Sequence, residues 1–153
     1  MLRALDPGLA LWHHPKRMKT FTVEQANRTL PLVSRIVQDI VTQHARWREC
    51  VRQSELIAAS ATPARPDERV AAIEREIQTL AEEIAGYIQE LEQLGVEFKG
   101  FDLGLVDFPA EISGRRVYLC WRLGEPAVEH WHEMDAGYAG RRRLSPVGVM
   151  ANG

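Results

Sequence analysis

Two stretches of this chain repeat apolar residues at alternating steps of about four and three, and that repeat leaves few folds open. The first runs through Val33, Val37, Ile40, His44, Trp47, Val51, Ser54 and Ala58, and the second through Val70, Ile73, Ile77, Leu80, Ile84, Tyr87, Leu91 and Leu94. An apolar repeat averaging 3.5 residues lays one stripe along a helix, and such a stripe is buried most simply against another. Between them, Ala61-Thr62-Pro63-Ala64-Arg65-Pro66 holds two prolines and cannot continue a helix. The pattern predicts a long, coiled-coil-like antiparallel helical hairpin over residues 22–94.

Local signals agree with those boundaries. Thr22 is placed as an N-cap, Gln25 completes a capping box, and Phe21 is positioned to staple against Ala26. Pro31 either kinks this helix or starts a second one capped by Thr29. Gly95 is a C-cap for the second helix. Folding the chain about residue 64 puts His44 opposite Ile84, with Glu83 and Tyr87 within reach. A polar residue in a seam commonly fixes register. From Asp67 to Leu94 there are eight acidic residues and two arginines, the composition of a solvated acidic face.

After Gly95 the heptads give way to short β-prone runs. Leu105 to Glu111 and Arg116 to Arg122 flank Ser113-Gly114, a hairpin signal, and Ala127 to Met134 follows Gly124-Glu125-Pro126 as a third strand. The prediction is an α+β protein in which a three-stranded antiparallel meander over 95–134 packs on the hairpin, since so small a sheet needs support. If Ile112 pairs with Arg115, then Asp107 lies beside Cys120, Phe108 beside Leu119 and Val106 beside Trp121. Val106, Phe108, Val117, Leu119 and Trp121 then form an apolar face that covers the hairpin. The domain is expected to span 19–144, with a disordered extension over 1–18 and a flexible tail over 145–153. Met1 and Met18 are both candidate starts, and the pair His13-His14 in the extension is a poor metal site in so mobile a context.

Composition removes several functional classes. The formal net charge of -2 lacks the basic excess of a general nucleic-acid binder, and no apolar run approaches the length of a membrane helix. Two cysteines, Cys50 and Cys120, far apart and without a C-x-x-C, signal neither a disulfide framework nor a cysteine zinc cage; a reducing cytoplasm is the expected setting.

Chemistry concentrates in Glu129-His130-Trp131-His132-Glu133. Alternate strand residues share a face, so His130 and His132 project together about 6–7 Å apart and can converge on one metal. If the Gly124 turn pairs Cys120 with His130, both histidines join Asp107 and Cys120; if it pairs Cys120 with Glu129, they fall on the apolar face. The first register yields two histidines and a carboxylate, ligands suited to zinc or non-haem iron. Familiar motifs fail: Ala136 stands where a metalloprotease helix needs histidine, no Glu-x-x-His pair occurs on either helix, and no glycine loop cradles a phosphate. Asp107, Cys120 and His132 can be drawn as orienter, nucleophile and base, but a thiol among apolar strand neighbours reads as buried and inert. Arg141-Arg142-Arg143 reads as a solvated basic tail.

The runs Gly104-Leu-Val-Asp-Phe-Pro109, Cys120-Trp-Arg-Leu-Gly-Glu125, Trp131-His-Glu133 and Gly137-Tyr-Ala-Gly-Arg141, with Phe21-Thr-Val-Glu-Gln-Ala-Asn27 and the Leu30-Pro31 pair, resemble the prokaryotic family called domain of unknown function 2203. The likeness extends from about Phe21 to Leu144. It implies that Asp107, Cys120, Trp121, Glu125, Trp131, His132, Glu133 and Arg141 occupy motif positions, whereas His130 and Arg143 depart from the pattern. The expected ligands are therefore His132 at the centre with carboxylates from Asp107 and Glu133, completed by His130 or His44, for zinc first and iron second. No nucleotide or organic cofactor is indicated. A catalytic use would need an open metal position and a metal-bound water. The competing expectation is a non-enzymatic interaction module, with the hairpin as the surface for a homodimer or another protein.

Overall fold

The computed structural model describes residues 19–64 and 67–145. The expected extension over 1–18 with His13-His14, residues 65 and 66 of the turn, and the tail beyond residue 145 lie outside the described residues.

Helix α1 spans Val23–Ser60, and its capping box closes as the sequence predicts: Thr22 accepts from the Gln25 N–H while Gln25 accepts from the Thr22 N–H. It runs through Pro31 without a break. Helix α2 spans Glu68–Gln93 and is capped by the Asp67 carboxylate on the Arg69 N–H. At its end Gly95 sits at φ +88, and the N–H groups of Gly95 and Val96 return to the carbonyls of Glu92 and Leu91. This paired return is the glycine-ended helix stop expected at Gly95, where a side chain would be strained.

The sheet has five antiparallel strands rather than three, in the order β1 (Glu97–Gly100), β2 (Leu105–Ile112), β3 (Arg115–Arg122), β4 (His130–Glu133) and β5 (Arg142–Arg143). The additional strands lie at the two edges. Each is too short for an alternating pattern to show, and only pairing defines it: Glu97 opposite Asp107 on one side, His130 opposite Arg143 on the other. The central register is the one the hairpin signal implied, with Ile112 opposite Arg115 and Asp107 opposite Cys120.

One face of the sheet carries Val106, Phe108, Ala110, Val117, Leu119, Trp121 and Trp131 into a core shared with Phe21, Ala26, Leu30, Val33, Val37, Ile40, Ile84 and Leu91. Phe21 meets Phe108 edge-on, and its N–H donates to the Pro109 carbonyl, which ties the start of α1 to β2. Burying that set of large side chains at about 25 cal/mol per Å² is the main force holding the sheet to the helices. The core occupies only the sheet-proximal half of the hairpin: buried positions on α1 end at Ile40, and on α2 they begin at Leu80.

His44 is half-buried, and its neighbours differ from those the heptad predicts. Gln43, not His44, donates to Glu83, and the His44 ring stacks on Phe101 (centroids 4.0 Å apart) and Trp47 (5.6 Å). A straight helix of 3.6 residues per turn drifts by about 20° per heptad. Over the four residues from the buried Ile40 that drift is small, and the stacking partner Phe101 of the β1–β2 loop is what the heptad could not supply.

Candidate metal centre

The sheet face turned away from the hairpin is also buried, but with polar side chains. Strand pairing sets Cys120 beside Asp107 on one side and beside His130 on the other, while Tyr118 lies opposite His132. This is the first of the two registers the sequence left open. Asp107, Cys120 and His132 are 3%, 0% and 2% exposed, and their ligand atoms all lie within 4.8 Å of one another.

Hydrogen bonding assigns the two ring nitrogens of His132 different tasks. Nδ1 lies 2.7 Å from the Glu133 carbonyl oxygen, which can only accept, so Nδ1 carries a hydrogen. Nε2 lies 3.0 Å from Asp107 Oδ1. In a neutral imidazole Nε2 would then be an acceptor facing a carboxylate oxygen, and two acceptors do not bond. The contact needs either a proton, on His132 or on Asp107, or a cation in its place. Burial pushes the Asp107 carboxyl above its ordinary value, while His132 and the Cys120 thiol pull the other way. Burial and the Asp107 carboxylate push the Cys120 thiol up to about 11, against the pull of Arg141. With both His132 nitrogens engaged, none is left to take a proton from Cys120, so the nucleophile arrangement is not assembled.

A second polar group borders the cluster. Glu125, from the β3–β4 connection, accepts from Arg141 (3.1 and 2.5 Å) and from the Arg122 backbone N–H (2.9 Å). Burial acts to raise the Glu125 carboxyl, but these donors outweigh it and hold it below the usual glutamate value. Arg141 also points Nη1 at Cys120 Sγ, 3.9 Å away. On the β1 side, the Tyr118 hydroxyl donates to Glu97 (3.0 Å), which is also paired with Lys99 (3.1 Å).

The other expected ligands are placed elsewhere. Glu133 lies opposite Val117 on the other sheet face, where both its oxygens accept from Arg115 at 3.0 Å; β4 ends there without the bulge that would turn its carboxylate toward His132. His130 shares the face of His132, but its Nδ1 is 3.7 Å from Glu125 and makes no hydrogen bond among the described residues. His44 sits on α1 against Phe101. Sequence reasoning put Cys120 next to Asp107 yet counted it as an inert thiol. The thiol is indeed buried and its value raised, and the hairpin register already carried the signal that it lies in one cluster with Asp107.

The fold and site define a small α+β protein: a helical hairpin under one face of an open antiparallel sheet, with a buried His-Asp-Cys cluster on the other. Residues 19–144 match the family described as Uncharacterized conserved protein (DUF2203), and the chain belongs to it. No curated protein and no solved structure matches it significantly. Among the described residues, no helix is long and apolar enough to cross a membrane.

Proposed function

We propose that this protein binds one divalent metal, zinc before iron, through His132 Nε2, the Asp107 carboxylate and the Cys120 thiolate. The observation that carries the reading is the His132 hydrogen-bond pattern. Nδ1–H on a backbone carbonyl is the usual outer contact of a metal-bound histidine, and it leaves Nε2 3.0 Å from Asp107 Oδ1 in a cluster whose ligand atoms all lie within 4.8 Å of one another. A nitrogen, a sulfur and a carboxylate oxygen suit zinc, and the sulfur weighs against magnesium or calcium. Two anionic ligands would offset the dication, removing the cost of holding an uncompensated charge in a buried site. Three protein ligands leave a fourth position for water or another donor.

Metal analysis of protein purified without a histidine tag tests this directly. One equivalent of zinc is expected, lost in His132→Ala and Cys120→Ala and retained in His130→Ala and Glu133→Gln. Stoichiometric zinc in His132→Ala would eliminate the site.

A second reading, the hairpin as a docking or dimerisation arm, is favoured by the solvent exposure of its distal half. Beyond Ile40 on α1 and before Leu80 on α2 no described residue is buried, and Leu56 is 60% exposed. Sedimentation of the wild type against Leu56→Glu tests it; a monomer at all concentrations would reject self-association.

A further inference from the structure

We propose that Arg141 is a positioning residue for the metal centre, the outer hydrogen-bond donor to the Cys120 sulfur; the inference rests on the metal reading above. The guanidinium is fixed from two sides, and one of those partners is itself anchored. Glu125 holds it through both Nη1 and Nη2, the Tyr138 ring lies under it at 4.6 Å, and Glu125 is itself fixed by the Arg122 backbone N–H. Both side chains of the Arg141–Glu125 pair are only 13% exposed. What this fork leaves pointing at Cys120 is an N–H of Nη1, 3.9 Å from Sγ.

Charge considerations favour a directional role. A bare cation beside a metal site would repel the metal, but Glu125 offsets the Arg141 charge. The N–H dipole aimed at sulfur remains. A thiolate with no exposed surface has lost its hydration, and this donor replaces part of it. Hydrogen bonds to a ligating sulfur also lower the energy of its lone pairs and moderate its donation to the metal. Lysine offers a point charge in place of the planar fork and cannot hold both partners in the same geometry.

The test is a Co²⁺ titration of the metal-free full chain, followed by the thiolate-to-cobalt charge-transfer band. Arg141→Gln should move the band to longer wavelength and weaken Co²⁺ binding by about 10- to 100-fold, the usual effect of losing an outer-shell partner. Arg141→Lys should change both in the same direction by less, and it carries the test if the glutamine variant does not fold. Arg143→Gln, an exposed neighbour, should behave as wild type. A lower melting temperature with an unchanged band and affinity would make Arg141 merely structural and overturn the proposal. Absence of the band in wild type would instead overturn the metal reading itself.

Discussion

Replacing Asp107 by asparagine separates the two ways the buried contact can be satisfied. The 3.0 Å approach of Oδ1 to Nε2 needs a hydrogen or a cation, because Nδ1 is already committed to the Glu133 carbonyl. Asparagine supplies an N–H there with nearly the same shape and no net charge, so the metal-free protein should change in stability by less than about 1 kcal/mol. Alanine at 107 leaves a buried Nε2 without a partner, a loss of about 1–3 kcal/mol. His132→Ala strands a carboxylate that is 3% exposed, and removing one partner of a buried pair costs about 3–5 kcal/mol. Urea unfolding with chelator present should rank the variants in that order with equal slopes. Added zinc should raise the wild-type midpoint and leave all three variants unmoved, since only a ligand bound to the native state stabilises it. An asparagine variant as unstable as His132→Ala would refute the hydrogen-bond reasoning. Wild-type zinc affinity in it would remove Asp107 from the ligand set.

Three further outcomes are expected. Thiol reagents should label one cysteine, Cys50, in the native metal-free protein near neutral pH and two after unfolding, because Cys120 is buried with its thiol held at about 11; rapid labelling of both would contradict this. Gly104→Ala should destabilise by about 1–3 kcal/mol in thermal or urea unfolding, since φ is +65 and an added Cβ would meet the Leu123 Cβ at 2.8 Å and the Val37 Cγ1 at 3.0 Å. Glu125 has its folded value below 4.5, so its stabilisation is full above that pH and is lost as pH falls through the folded value; the wild-type advantage over Glu125→Gln should therefore shrink below pH 4.5, and a constant difference across the acid range would exclude that linkage.

Much of the helical layer was legible because its signals are local. The Thr22–Gln25 box and the Gly95 stop each depend on residues a few positions apart, and both close as their types require. His44 shows the limit of that reading. The heptad is an average period, whereas the ring's orientation depends on Phe101, which lies 57 residues further along the chain. The edge strands failed to show for a related reason. Arg142–Arg143 is a strand only because His130 and Trp131 lie opposite it, so no property of those two residues alone could announce it.

Asp107 beside Cys120 was legible in the sequence, and what it left open about the cluster turns on one register. Ser113 and Gly114, both at positive φ, close β2 onto β3 and leave a single way for Asp107 and Cys120 to meet. The β3–β4 connection is longer and has no such geometry. It is held instead by one local contact, the Trp121 indole on the Glu125 carbonyl, and two long-range ones: the Leu123 N–H on Gly104, and Asn27 of α1, whose side chain accepts from the Val128 N–H 101 residues away. These set His130 against Cys120, and a slip of one residue would send both histidines into the hairpin core. The Asn27–Val128 bond thus couples the helix cap region to the strand that carries His132. Loss of that side chain in Asn27→Ala is expected to weaken metal binding from the opposite face of the sheet, with retained stability and unchanged affinity being the result that would break the link between register and site.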